Sequence, residues 1–118
     1  MLAGGLHSSF ESPRTWTYMD RPEIIGERLR RIRLALGHTQ AKAFCDSMGL
    51  LDTAWNNWER GRRVIPIEAA LKVAGKTGAS LDWIYRGLEH TLPKHVADKL
   101  DRFDAQTAAA SQKKTVNS

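Results

Sequence analysis

Between positions 21 and 104 the apolar residues recur three and four apart, the spacing of a helical face, and no stretch alternates residue by residue as a strand does. Ile25, Leu29, Ile32 and Leu36 make the first stripe. Arg28, Arg30, Arg31 and Arg33 cover its other sides. Asp20 stands where a cap would, Pro22 falls in the first turn, and Gly37 is placed to end the helix. Thr39 is a good N-cap for a second, shorter helix over about 40–48, with Phe44, Cys45 and Met48 inward and Gly49 at its end. A third helix is expected over 52–60, with Trp55 and Trp58 on its inner side and Gly61 after it. Pro66 opens a fourth, whose core face is expected to be Ile67, Ala70, Leu71 and Ala74, stopped by Gly78. Ser80 caps a fifth that closes at Gly87. Pro93 is placed to open a sixth over 93–104, carrying Val96, Leu100 and Phe103. That last stripe packs either on its own domain or across a dimer.

Helices this short are unstable alone and must pack on one another, so the pattern predicts an all-α domain. The division is an N-terminal arm (1–20), a helical domain (21–88) and a C-terminal extension (89–118) whose residues after the sixth helix are small, polar and expected to be disordered. Phe10, Trp16 and Tyr18 make the arm more aromatic than a plain linker, and a docking place for it on the domain or on a partner is one reading.

Composition narrows the function classes. The chain has 118 residues, 42% of them hydrophobic, which suits one domain with a real core. Lys and Arg number 18 against 13 Asp and Glu, a net charge of +5 that permits a polyanionic partner without establishing one. The single cysteine, Cys45, leaves no disulfide framework and no Cys-rich zinc site, and fits a reducing compartment. No apolar run is long enough to span a membrane, and the first residues have no basic segment followed by an apolar one. A cytoplasmic location is therefore expected. His7, His38, His90 and His95 lack metal-ligand spacing, so no metal or other cofactor is expected. No nucleophile sits with a base and its orienting partner, no glycine loop is shaped for phosphate, and Asp98 and Asp101 read as a solvated face. No enzyme activity is expected.

The informative segment is the pair of short helices joined through Gly49-Leu50. In the second, Trp55 and Trp58 share one side, while Thr53, Asn56, Asn57 and Arg60 share another. Asn offers a donor and an acceptor that match adenine N6 and N7, and Thr can meet a thymine methyl or a base edge. Arg60, Arg62 and Arg63 follow at once and are placed to neutralise phosphates.

With the strings IGERLRRIRLALGHTQ (25–40), AWNNWERGRRVIP (54–66) and SLDWIYRG (80–87), the chain resembles the Cro and phage-repressor class of helix-turn-helix regulators, the XRE-type family. The resemblance covers residues 25–87 of the 118. It implies a five-helix, repressor-like helix-turn-helix domain that binds double-stranded DNA as a homodimer and regulates transcription, usually as a repressor, in a bacterial or phage setting. By position, it implies that Asp52, Thr53 and Asn57 read bases and that Asn56 adds a base or phosphate contact. It further implies that Thr39 and Gln40 approach a phosphate, with Arg60, Arg62 and Arg63 in the basic loop. Glu59 matches an acid that pairs with an arginine of the first helix, expected here to be Arg28, and Cys45 matches the small residue where the two motif helices cross. Two positions depart from the pattern. Gln40 lies four residues before Phe44 where relatives have three, and Leu51 replaces the usual Ser or Thr cap. Asp52 is thus either a cap or a base reader. A different class of reading is an antitoxin-like module whose main partner is a protein held by the arm or the tail.

Overall fold

The computed structural model describes residues 19–117. They form six α-helices and a 3-10 turn, with no strand among the described residues: α1 (Pro22–Ala35), α2 (Ala41–Asp46), α3 (Asp52–Glu59), α4 (Ile67–Thr77), α5 (Leu81–Arg86), the turn Glu89–Thr91, and α6 (Lys94–Asn117). The fold is all-α. The arm expected over 1–20 lies outside the described residues apart from Met19 and Asp20, and Phe10, Trp16 and Tyr18 go with it. No helix among the described residues is long and apolar enough to cross a membrane.

α1 is the hub, packing against α3, α5 and α6. Its stripe is the expected one: Ile25, Leu29 and Ile32 are buried, and Leu36, at the C-cap, is half-buried. Arg21 takes the N-cap position with Pro22 at the start of the helix. Asp20, expected to cap, instead pairs its carboxylate with Arg28 while its backbone N–H donates to the Tyr85 carbonyl at 2.8 Å. At the crossing with α3 there is room for no side chain at all. A Cβ on Gly26 would lie 2.5 Å from the Glu59 carbonyl oxygen and press on that of Trp58.

α4 corrects the expected face. Ala69, Ala70, Val73 and Thr77 are the buried positions, and Ile67 and Leu71 are each 53% exposed. The two small alanines let α4 approach the core closely. Thr77 tolerates burial because its hydroxyl donates to the Val73 carbonyl at 2.7 Å and accepts from the Ala79 N–H at 3.1 Å. α5 begins as expected, with Ser80 Oγ accepting the Trp83 N–H at 3.0 Å, and ends at Gly87.

α6 closes the core with Val96 and Leu100, so the stripe expected there packs on its own domain. Arg31 fastens it: the guanidinium donates to both Asp104 carboxylate oxygens, at 2.6 and 3.2 Å, and stands 5.9 Å from the Trp83 ring centroid. The helix also runs past 104, where a disordered tail was expected. Ala105, Ala108, Ala109 and Ala110 are strong helix formers, and a helix already nucleated on the core propagates through them at little cost.

Candidate nucleic-acid interface

Five residues, 47–51, join α2 to α3, and α3 is held entirely from its inner side. Trp55 and Trp58 are buried with their rings edge-on, centroids 6.1 Å apart, and Trp55 meets Phe44 of α2 edge-on at 5.2 Å. Cys45 of α2 is fully buried in the same cluster. Burial, helped by the charges of Asp52 and Glu59, pushes its thiol pKa up to about 11.

The polar anchor of α3 is Glu59. Its carboxylate accepts Trp55 Nε1 at 2.5 Å and a two-pronged contact from Arg33, not from the expected Arg28. Arg28 is drawn the other way, to Asp20 and the Ile84 carbonyl. Arg33 lies in the last turn of α1, beside the chain reversal, where one guanidinium nitrogen also donates to the carbonyls of His38 at 2.8 Å and Thr39 at 3.1 Å. A single buried side chain thus ties the approach to α2 to the end of α3. Nothing in the sequence separated Arg33 from the three other arginines of α1, because only the crossing geometry decides which one faces Glu59.

The opposite side of α3 faces outward. Asp52, Thr53, Asn56 and Arg60 are exposed and Asn57 is half-buried at the helix edge. Leu51 is the N-cap residue and supplies no side-chain bond. Asp52 is therefore the first helical residue rather than the cap, and sits where the helix dipole favours an acid. At the other end a Schellman turn closes the helix: Gly61, at φ +76°, sends its N–H to the Trp58 carbonyl, and Arg62 sends its own to that of Asn57. The turn doubles the basic loop back along α3, so that Arg62 Nη1 comes 3.4 Å from Asn57 Oδ1. Arg62 and Arg63 are exposed. No carboxylate among the described residues pairs with Arg60, Arg62 or Arg63.

Thr39 and Gln40 stand apart from this set, at the start of α2. Both are exposed, and Gln40 rather than Thr39 occupies the N-cap position, with no side-chain bond from it. They border an open depression of about 320 Å³ into which Lys76 of α4 also faces, a cation that no sequence spacing connects to them. His38 lies in the same wall, 4.8 Å from the Phe44 ring, and its pKa is held below the ordinary 6.5 by burial first and then by Lys76 and Arg33.

Chemically the surface combines the hydroxyl and amides of Thr53, Asn56 and Asn57 on a buried aromatic floor with one acid, Asp52, at the helix start and guanidiniums that no described carboxylate pairs with at the other end. Among the described residues no group of three or more His, Cys, Asp and Glu side chains is arranged to hold a metal ion. No protein-family model, no curated protein and no solved structure matches this chain.

Proposed function

We propose that the chain binds double-stranded DNA in a sequence-specific way and regulates transcription, with repression the mode its family resemblance favours. In this reading α2, the turn and α3 are the helix-turn-helix of a five-helix repressor-like domain, α1 to α5, and α6 is an appended brace. α3 enters the major groove, whose width admits one helix. Thr53, Asn56 and Asn57 read base edges, with Asp52 able to accept from cytosine N4 at the rim. Arg60, Arg62 and Arg63 bind phosphates, and Thr39 and Gln40 approach the backbone beside the groove.

The observation that carries the reading is the division of α3. Its two tryptophans are buried, Thr53 and Asn56 are exposed with Asn57 at the edge, and three guanidiniums that no described carboxylate pairs with follow at once. A surface needed only for solubility has no reason to place short amide side chains on a tryptophan-anchored helix beside arginines left without a carboxylate. The reading is of a binding protein that acts as a homodimer and performs no chemistry. Selection of bound sequences from random duplexes tests it. The expected outcome is an inverted repeat with half-site centres about one helical turn apart. Recovery of unenriched random sequence rules the reading out.

A further inference from the structure

We infer that Leu51 reads the 5-methyl group of a thymine in the major groove, as the apolar member of a surface whose other readers are polar. The inference rests on the proposed function, because it takes α3 as the helix that enters the groove. Leu51 is 72% exposed, against 53% for Ile67 and Leu71 and 41% for Ile24. A single exposed leucine is ordinary on a protein surface, and it is the place of this one that carries the argument. From the start of α2 to the end of α3 it is the sole exposed large apolar side chain; Ile24 belongs to α1, and Ile67 and Leu71 to α4. Its backbone is fixed on both sides. Leu50 packs on the core and donates its N–H to the Cys45 carbonyl at 3.0 Å, and the Leu51 carbonyl accepts the N–H of buried Trp55 at 3.0 Å. The side chain therefore leaves a rigid base beside Asp52 and Thr53, at the end of the helix that meets base edges in this mode of binding.

The fold gains little from a leucine here. At the N-cap position Ser, Thr, Asn or Asp accepts a backbone N–H of the first turn, whereas Leu51 supplies no such bond and is not among the side chains packed on the core. The groove supplies the partner that the protein does not. Base edges there present donors and acceptors, and the one apolar group among them is the thymine C5-methyl. A leucine side chain set against that methyl removes apolar surface of both from water. Against any other base edge it covers a polar atom without bonding it, which costs affinity. The same residue thus favours thymine and disfavours its competitors, at a position where hydrogen bonding by Thr53, Asn56 and Asn57 is not needed.

The test uses the full chain and the duplex recovered by selection from random sequences, with each thymine of one half-site replaced in turn by uracil. Uracil pairs as thymine does and lacks only the methyl. One replacement is expected to weaken binding about fourfold, the worth of one methyl group removed from water. Leu51→Ala should bind that uracil duplex and the thymine duplex equally, so that the two changes are not additive. Leu51→Ser should give the same result while supplying the missing cap, so the outcome does not hang on the folding of one variant. Three outcomes overturn the inference: a recovered site in which no thymine is sensitive to uracil, a sensitivity that Leu51→Ala and Leu51→Ser both retain, or a sensitivity abolished by Thr53→Ser instead, which deletes the methyl of the neighbouring reader. Each of these leaves the functional reading standing, since a preferred site has been recovered. Recovery of unenriched random sequence overturns both.

Discussion

Arg33 and Glu59 face each other as planar groups, Nε to Oε2 at 2.7 Å and Nη2 to Oε1 at 3.2 Å, with both side chains nearly removed from solvent. Removing the cation leaves a carboxylate buried without its counterion, and the carbonyls of His38 and Thr39 lose a donor as well. Arg33→Ala should lower the unfolding free energy by about 3 kcal/mol or more, read as a drop in the denaturation midpoint. Arg33→Lys should recover little, because an ammonium cannot make the fork. Lys42→Ala breaks an exposed pair with Asp46 and should cost less than about 0.5 kcal/mol.

Gly26→Ala tests the crossing of α1 and α3. The added methyl meets backbone carbonyl oxygens, which cannot swing aside as a side chain can. A loss of about 2 kcal/mol or more is expected, with changed tryptophan fluorescence as α3 shifts. Gly75, exposed on α4 with open space around it, should instead gain about 0.5–1 kcal/mol as alanine.

His38 makes stability depend on pH in a defined direction. Burial, Lys76 and Arg33 lower its folded pKa below 6.5, so near that pH the unfolded chain holds the proton more readily. The stabilisation from neutral His38 is complete above 6.5 and lost as pH falls through the lower folded value. Denaturation midpoints measured from about pH 8 down to about pH 5 should fall in this chain and fall less in His38→Gln.

Cys45 should be chemically silent in the folded state. With no exposed surface and a pKa near 11, almost none of it is thiolate at neutral pH. Alkylation should run about a hundredfold or more slower than in the denatured chain. Equal rates would mean that α2 opens readily.

Asn57 and Arg62, which touch on the proposed DNA surface, should behave differently. Asn57→Ala is expected to cost about 1–3 kcal/mol on the preferred site and to relax preference at one base pair. Arg62→Ala should weaken binding to all sequences and reduce the salt slope by about one. Uniform weakening by Asn57→Ala would show that Asn57 reads no base. A changed base preference in Arg62→Ala would show that its contact with Asn57 orients the amide.

What could be read from the chain was what local chemistry decides. Ser80 caps α5 because a hydroxyl there has an N–H three residues on to meet, and the spacing of Trp55 and Trp58 alone turns Thr53 and Asn56 outward. Tertiary choices were not legible. Ile67-Leu71 and Ala69-Ala70-Val73-Thr77 both repeat at helical spacing, and the second stripe won because small residues admit a close approach and Thr77 bonds its own turn. Among the arginines of α1, position in the crossing chose Arg33. The length of α6 is not legible locally, because its small and polar residues read as a free tail, whereas they extend a helix already anchored by Arg31 and Asp104. The Lys76 side of the depression beside Gln40 left no trace in local spacing at all.

The attachment of α3 lies wholly beneath it, in two indole rings, one carboxylate and a bare glycine crossing. Its solvent-side positions are therefore relieved of any part in cohesion. Exchanging Thr53 or Asn56 for other small polar side chains should leave the scaffold untouched, so the proposed DNA surface could change its preference by single substitutions without passing through an unfolded ancestor.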